Sequence, residues 1–287
     1  MEYVIENEYL KAVISSHGAE LIKLIDKDGV NRMHTPSRNT WNRVSPILFP
    51  QISRMSNSEY IVNGKIYNMP THGFLRDTEL DLVNHYETEV TFKFSHNKNT
   101  LLMYPYEFNF YVTYKLLKNN LDVSFRVENP SDKVIKYMLG GHPGFKVPLF
   151  DDESFSDYSI LFEKKETTKR MCVVNGFIDN VYEDYLSDID AINLNHNLFT
   201  VDTLIFKNLK SNYVEIVSKN HSKKIKIHFS DFEILAIWSK IEENADFICI
   251  EPWNGIQKKF VKEHEEMGIL EIKPFETSCH SYRIEVI

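Results

Sequence analysis

The sequence contains few cysteines and little glycine or proline. Its 287 residues include three cysteines, 10 glycines and 10 prolines. An odd, sparse cysteine set (Cys172, Cys249 and Cys279) without CxxC spacing is typical of free thiols in a reducing compartment, and it predicts a cytoplasmic protein. The low glycine and proline content excludes collagenous and low-complexity regions. Because no linker rich in proline, glycine or serine divides the chain, we expect one domain spanning residues 1–287.

An excess of positive charge and a long apolar run are also missing. The 33 Lys and Arg residues are outnumbered by 41 Asp and Glu residues, which gives a formal net charge of −8. This balance argues against nucleic-acid binding, which needs clustered Lys and Arg. No apolar run approaches the ~20 residues of a membrane span, and the first residues lack the basic and apolar regions of a signal peptide. We expect neither a nucleic-acid nor a membrane partner.

Several signatures of cofactor and metal enzymes are absent from the sequence. It contains no Gly-x-Gly-x-x-Gly segment and no P-loop, so nucleotide binding has no support. No two histidines stand at the i, i+2 or i, i+4 spacing with a nearby acid that zinc enzymes show. A Gly-x-Ser-x-Gly elbow is missing as well, which argues against serine hydrolysis. We therefore expect no metal and no cofactor.

Apolar residues are present in a period-two alternation. It runs over Phe108–Leu116 and again over Leu121–Val127, as in two strands joined by a turn at Asn119-Asn120. A second hairpin is predicted over Ile61–Tyr67, where Asn63-Gly64 suits a type I′ turn. Aromatic residues make up 13% of the chain, and this content also favours strands over helices.

Similar short strands are predicted at Leu10–Ile14, Val90–Phe94, Tyr158–Phe162, Ile225–Phe229, Phe247–Ile250 and Tyr282–Val286. Helical periodicity is scarce, with one or two turns predicted at Asp179–Ile189 and around Thr40–Arg43. Many strands and few helices predict an all-β fold, a large antiparallel β-sandwich. The strands are too many for a seven-stranded immunoglobulin-like sandwich, and no fixed repeat indicates a propeller.

Three segments place groups that can transfer protons beside glycine and aromatic residues. They are Thr71-His72-Gly73-Phe74, Gly140-Gly141-His142-Pro143-Gly144-Phe145 and Ile250-Glu251-Pro252-Trp253. Imidazole donates or accepts a proton near neutral pH, glycine permits close approach, and aromatic rings offer an apolar face to a sugar-like ring. Alone, each segment is more often structural than catalytic. Together they favour a proton-transfer site for a polar organic ring.

The motifs, taken in order, resemble the aldose 1-epimerase (galactose mutarotase) family, and more closely its shorter bacterial branch of hexose-6-phosphate-type mutarotases. Besides the three segments above, the markers are His17-Gly18-Ala19-Glu20-Leu21, Pro46-Ile47-Leu48-Phe49-Pro50, Ile52-Ser53-Arg54-Met55 and Tyr104-Pro105-Tyr106-Glu107-Phe108. The resemblance covers most of the chain. It implies a large antiparallel β-sandwich and an isomerase that interconverts the α and β anomers of free aldoses without metal or nucleotide.

The resemblance also implies roles for individual residues. His142 matches the general acid that protonates the sugar ring oxygen O5, and Glu251 matches the base that removes the proton from the C1 hydroxyl. His72 matches a second histidine near the ring oxygen, whereas Arg54 and Asp202 match residues that bind the substrate. We expect His142 and Glu251 to face each other across a gap one pyranose wide, with the acid protonated and the base ionised.

Some assignments keep competing interpretations. Arg76 either contacts a phosphate on the substrate or stacks on Phe74. Trp253 and Trp238 either form platforms for the sugar or fill the core. The chain could be a hexose-6-phosphate 1-epimerase, or a non-catalytic carbohydrate-binding protein on the same scaffold. A glycoside hydrolase would need two carboxylates flanking the bond, and only Glu251 has a motif behind it. The expected partner is a small sugar, and the expected assembly is a monomer or homodimer.

Overall fold

Most of the chain forms antiparallel strands. The computed structural model describes residues 1–241, 245–257 and 269–287, and these contain 22 strands and one short α-helix. The strands of the first half are β1 (Glu2–Glu6), β2 (Leu10–Ser15), β3 (Leu21–Asp26), β4 (Ile47–Leu48), β5 (Glu59–Val62), β6 (Lys65–Asn68), β7 (Asp81–His85), β8 (Glu89–Ser95), β9 (Asn109–Leu117), β10 (Asn120–Glu128), β11 (Ile135–Tyr137) and β12 (Leu139–Gly141).

The second half continues in the same way. Its strands are β13 (Gly144–Lys146), β14 (Tyr158–Val174), β15 (Phe177–Asn193), β16 (Leu204–Lys207), β17 (Tyr213–Ser218), β18 (Lys224–His228), β19 (Ile234–Trp238), β20 (Phe247–Asn254), β21 (Leu270–Ile272) and β22 (Thr277–Val286). The helix α1 (Lys98–Met103) begins after Asn97, whose side chain accepts hydrogen bonds from two backbone N–H groups of the first turn. No helix in the described ranges is long and apolar enough to cross a membrane.

The strands predicted from alternation are confirmed. The six short strands overlap β2, β8, β14, β18, β20 and β22. Asn63 and Gly64 have positive φ values of 50° and 74°, as the type I′ turn between β5 and β6 requires. The turn between β9 and β10 lies one residue earlier than predicted, at Lys118-Asn119, because Asn120 already pairs with Leu117.

The two helical predictions are wrong. The segment Asp179–Ile189 belongs to β15, which pairs with β14 through several register shifts. Such bulges break the period-two pattern, so the apolar spacing imitates a helix. Asn175 and Gly176, both with positive φ, form the tight turn of this hairpin. Thr40–Arg43 lies in an irregular loop, where the Ser37 N–H donates a hydrogen bond to the Trp41 carbonyl (2.8 Å).

One large sheet dominates the structure. Its 15 strands follow the order β4-β12-β20-β19-β16-β14-β17-β18-β22-β10-β9-β8-β7, with β13 also paired to β20 and β15 to β14. The sheet folds over on itself, since the Phe49 ring beside β4 lies 4.9 Å from the Phe110 ring of β9 near the other end of the order. The fold is therefore the predicted large antiparallel β-sandwich.

The interior is packed from both ends of the chain. The main hydrophobic cluster includes residues from Ile5 to Val286. The separate sheet β1-β2-β3 packs against the large one, where the buried Tyr114 hydroxyl donates a 2.7 Å hydrogen bond to the Ala19 carbonyl. This packing holds β4, β12, β20, β19 and β16 side by side, and these strands carry the site described next.

Candidate active site

A cleft of about 610 Å³ opens where β12, β20, β19 and β16 meet the β14–β15 hairpin. This volume is within the range of roughly 300–1,000 Å³ that small-molecule sites occupy. The cleft is lined by all seven residues that the sequence nominated, namely Arg54, His72, Arg76, His142, Asp202, Glu251 and Trp253. Residues from distant parts of the sequence therefore converge on one concave surface.

Strand pairing brings His142 and Glu251 together. Glu251 lies in β20 opposite Ala236, and Gly140 of β12 pairs with Trp253 of the same β20. A Cβ atom at Gly140 would lie 2.6 Å from the Trp253 ring, so a side chain there would force β12 and β20 apart. The His142 N–H donates a 3.1 Å hydrogen bond to the Pro46 carbonyl, which fixes the residue that follows β12.

The two side chains are in direct contact. Nε2 of His142 lies 3.2 Å from Oε2 of Glu251, and the two side chains are 10% and 1% exposed. The expected gap one pyranose wide is therefore wrong, because no ring fits between atoms at this distance. In a cyclic aldose, however, O1 and O5 are bonded to the same carbon. Two adjacent groups can reach both oxygens from one side of the sugar.

Burial determines how this pair is protonated. It lowers the pKa of His142 to about 3, with a further lowering from the positive charge of Arg76. It raises the pKa of the Glu251 carboxyl well above its ordinary value, and the charge of Asp202 adds to this shift. Burial thus favours a neutral imidazole beside a protonated carboxyl over an ion pair of the same two groups. The sequence-based expectation was an imidazolium beside a carboxylate. The two arrangements hold the same number of protons and differ only by the transfer of one proton from the Glu251 carboxyl to the His142 ring.

His72 is held in a fixed orientation beside this pair. Its φ is +64°, and the N–H of Ser53 donates a 3.2 Å hydrogen bond to its Nδ1. Since Nδ1 accepts, the neutral ring carries its proton on Nε2. The imidazoles of His72 and His142 are perpendicular, with ring centroids 5.8 Å apart. Burial, followed by the charge of His142, lowers the pKa of His72 well below its ordinary value.

Charged residues stand around the mouth of the cleft. Arg54 is exposed and lies against Gly176, at the tip of the β14–β15 hairpin. A Cβ atom added to Gly176 would be 3.3 Å from Nη1 of Arg54. Asp202 has a φ of +71° and accepts a 2.9 Å hydrogen bond from the Thr203 hydroxyl. Both side chains can offer hydrogen bonds to sugar hydroxyls.

Arg76 occupies a partly neutralised position. Its Nε lies 3.6 Å from a carboxylate oxygen of Asp77, whose other oxygen is 2.6 Å from Arg43. Burial and the charge of Arg43 lower the pKa of Arg76 to about 10. Phe74 instead packs on Phe108 in the core, with ring centroids 6.2 Å apart. Arg76 lines the cleft, and no cation–π contact between it and Phe74 occurs within the described part of the chain.

Three tryptophans surround the His142–Glu251 pair. Trp253 is 3% exposed and lines the cleft between His72 and the core. Trp41 stacks on the His142 ring at 4.9 Å and 28° between planes, and Trp238 meets the same ring edge-on at 5.8 Å. Trp41 is itself held by its carbonyl, which lies 3.0 Å from Nε2 of His34.

The same floor contains a set of possible metal ligands. Ligand atoms of His142, Cys249 and Glu251 all lie within 4.8 Å of one another. Cys249 and Glu251 are two residues apart on β20, so their side chains point to the same face of the sheet. This grouping differs from the histidine spacings considered in the sequence, because its histidine comes from another strand.

Comparison with known proteins identifies the family. The family model described as aldose 1-epimerase matches residues 1–269. The chain belongs to the aldose 1-epimerase family. Protein LacX of Lactococcus lactis subsp. lactis is 31% identical to this member over 303 residues, and the match covers all of both chains.

Solved structures of aldose 1-epimerase relatives share the fold. A galactose mutarotase related enzyme from Lactobacillus acidophilus is 30% identical and has a TM-score of 0.95, covering 100% of this chain and 97% of its own. A galactose mutarotase-like protein from Lactobacillus casei is also 30% identical, with a TM-score of 0.93 over 100% of both chains. Membership of this family supports an enzyme of the epimerase type.

Sequence reasoning missed two residues of this epimerase-family site. Trp41 carries no motif, and its segment was interpreted as a helical turn, so its stacking on His142 had no signal in the sequence. Cys249 was interpreted only as a free thiol. Its signal was the Cys249-Ile250-Glu251 spacing, which places a thiol and a carboxyl side by side on any β-strand.

Proposed function

We propose that this protein is an aldose 1-epimerase that interconverts the α and β anomers of an aldohexose. The proposal depends on one observation above all, the buried contact of 3.2 Å between His142 and Glu251 at the floor of an open cleft. Membership of the aldose 1-epimerase family supports it. So do Arg54 and Asp202, which offer charged hydrogen-bonding groups to a polyhydroxylated ligand at the cleft mouth.

The reaction requires two proton transfers at neighbouring oxygens. Glu251 removes the proton from the C1 hydroxyl as His142 delivers a proton to O5, so the C1–O5 bond breaks and C1 becomes a carbonyl. Rotation about C1–C2 presents the other carbonyl face. Ring closure then returns each proton to the group from which it came, and the product is the opposite anomer.

The protonation state of the free protein fits this cycle. Burial favours placing the mobile proton of the pair on the Glu251 carboxyl when the cleft contains no sugar. Hydroxyl groups of a bound sugar can solvate the carboxylate, which allows the proton to pass to Nε2 of His142 across the 3.2 Å contact. The site then contains an acid and a base without taking a proton from bulk water. His72, whose Nε2 carries its proton, is placed to donate a hydrogen bond to the sugar beside His142.

A hexose 6-phosphate is the second candidate substrate. Arg54 and Arg76 line the cleft and supply positive charge, and Nη1 of Arg43 lies 3.4 Å from the Arg76 carbonyl. A phosphate would pair with such guanidinium groups. Against it, Asp77 already neutralises part of the charge of Arg43 and Arg76.

Polarimetry or anomeric NMR exchange tests these proposals. Pure α-D-glucose, α-D-galactose and α-glucose 6-phosphate are each dissolved with and without protein, and the rate of approach to anomeric equilibrium is followed. Acceleration with a free hexose supports the proposal. Acceleration with the phosphosugar alone selects the second candidate, and an Arg76→Ala variant should then raise its KM, with Lys93→Ala on the distant strand β8 as a control. No acceleration by a folded protein that still binds sugar would leave a carbohydrate-binding protein.

Three further proposals concern the whole molecule. Residues 1–287 form a single domain, which is supported by a main core cluster containing residues from Ile5 to Val286. The three unpaired cysteines support a cytoplasmic location. The protein acts on its sugar as a monomer or homodimer without a nucleic-acid or membrane partner. Sedimentation equilibrium and one cooperative unfolding transition would test the assembly and the domain.

A further inference from the structure

The three possible ligands at the cleft floor are positioned by the core of the sheet. His142, Cys249 and Glu251 are 8%, 0% and 1% exposed, and their ligand atoms lie within 4.8 Å of one another. Cys249 and Glu251 project from one face of β20, and His142 reaches them from the end of β12. An ion that bound here would meet nitrogen, sulfur and oxygen, the ligand types that Zn²⁺ accepts.

The distances suit a tetrahedral ion. Bonds of about 2.1 Å to nitrogen and oxygen at a tetrahedral angle place those two atoms about 3.4 Å apart. Nε2 of His142 and Oε2 of Glu251 are already 3.2 Å apart. A bond of about 2.3 Å to sulfur requires the sulfur to lie about 3.6 Å from each of them. Since the Cys249 sulfur lies within 4.8 Å of both atoms, it needs a shift of no more than about 1.2 Å, which small torsional adjustments within the existing rotamers of the three side chains can share.

The ligand atoms are also available. Oε2 of Glu251 is buried, and it lies 3.2 Å from Nε2 of His142 without a further hydrogen bond of good geometry within the described residues. A buried carboxyl oxygen whose hydrogen-bonding capacity is incompletely used is costly. A cation would satisfy it. This oxygen points into the cluster and is an independent indication that the cluster accepts a ligand.

We propose that His142, Cys249 and Glu251 bind a borderline-soft divalent cation of the Zn²⁺ class, and that the bound ion inhibits the enzyme. Three protein ligands leave a fourth position that faces the cleft. Binding releases to solvent any protons that the coordinating sulfur, oxygen and nitrogen atoms carry, the thiol proton of Cys249 among them. The ion occupies Nε2 and the carboxylate, the two sites between which the reaction moves protons. The inhibition rests on the proposed function, whereas the binding does not.

Cobalt spectroscopy tests the binding without any assay of activity. Protein freed of metal with a chelator is titrated with Co²⁺, and the near-ultraviolet absorption of a cobalt–thiolate bond is recorded. We expect the band in the wild type, its loss in Cys249→Ala and Cys249→Ser, and its retention in the matched controls Cys172→Ala and Cys279→Ala. Zn²⁺ should abolish the band by displacement. The serine variant keeps the side-chain volume in case the alanine variant fails to fold. Absence of the band, or its dependence on Cys279, would refute the site.

Zinc titration of the activity tests the inhibition. We expect Zn²⁺ to inhibit the wild type reversibly, with full recovery on adding EDTA. Loss of the Cys249 thiol should raise the half-inhibitory Zn²⁺ concentration by at least about 10–100-fold. Mutation of residues that only support a metal ligand already lowers metal affinity by that factor. Equal inhibition of Cys249→Ser and wild type would overturn the proposal. If no sugar is turned over, the cobalt band alone decides the binding, and the two failures remain distinct.

Discussion

Replacing Glu251 with glutamine tests both the chemistry and the protonation state of the buried pair. Glutamine has the shape of a protonated glutamic acid but cannot exchange a proton with a sugar hydroxyl. Burial raises the pKa of Glu251, which favours the neutral carboxyl in the free protein. The substitution should therefore abolish proton transfer and leave the fold nearly unchanged.

The expected sizes follow from the contact with His142. If the pair is neutral, Glu251→Gln removes a weak interaction worth about 0.5–1.5 kcal/mol. If it is an ion pair, the substitution leaves a buried imidazolium without its partner and costs about 3–5 kcal/mol. For a protein of this length 1 kcal/mol lowers Tm by about 2 °C. The neutral pair therefore predicts a loss of no more than about 3 °C, and the ion pair about 6–10 °C. Loss of an acid/base group should lower kcat by about 10²–10⁴-fold.

The measurement combines polarimetry on the preferred sugar with thermal unfolding monitored by circular dichroism. Glu215→Gln is the matched control, because Glu215 pairs with Lys224 and Lys226 away from the cleft and should not affect the rate. A Glu251→Gln variant with full activity would remove Glu251 from the mechanism. A fall in Tm of 6 °C or more would show that the pair is charged, contrary to the effect of burial.

Further predictions concern pH, the His142 environment and the backbone at His72. Because the pKa of His142 is lowered to about 3, ionisation of this histidine should produce no inflection in kcat/KM near its ordinary pKa of about 6.5. A pH profile of kcat/KM checks this, and a histidine inflection at that pH would contradict it. Trp41→Leu removes the ring stacked on His142 and should lower kcat by roughly 2- to 10-fold, with Trp41→Phe closer to wild type in the same assay. Gly73 has a φ of +75°, and a Cβ atom in Gly73→Ala would clash with the Phe49 carbonyl, so the substitution should lower the free energy of unfolding by more than about 2 kcal/mol in a denaturant titration. The control Gly64→Ala, at a similar φ but in open space, should lower it by about 1 kcal/mol. Equal losses of stability in the two variants would show that the contact with Phe49 is harmless.

The sequence was sufficient to predict the sheet-rich fold, because a strand that is buried on one face alternates apolar and polar residues along the chain. β9 and β10 show this, with every second side chain buried from Phe108 onward. The same rule failed at β15, where bulges against β14 shift the alternation and imitate helical spacing. Asn175-Gly176 was the local indication of that hairpin, equivalent to the Asn63-Gly64 pair that predicted the other.

Motif residues of the site were predictable one at a time, and all seven line the cleft. Their mutual geometry was not. No local pattern reports that His142 and Glu251 touch, since their separation is set by the pairing of β12 with β20. Their protonation depends on burial, which is a property of the assembled fold. Trp41 reaches His142 from an irregular loop, and loops carry no periodicity from which to infer a contact.

The long hairpin of β14 and β15 shapes part of the cleft wall but contains neither His142 nor Glu251. Val173, Gly176 and Ile178 of its outer end line the cleft, whereas Glu251 lies in β20 of the sheet and contacts His142. Substitutions or changes of length in the hairpin would therefore reshape the cleft and leave the contact between His142 and Glu251 unchanged. We therefore expect members of the family to differ in this hairpin more than in the strands that hold His142 and Glu251.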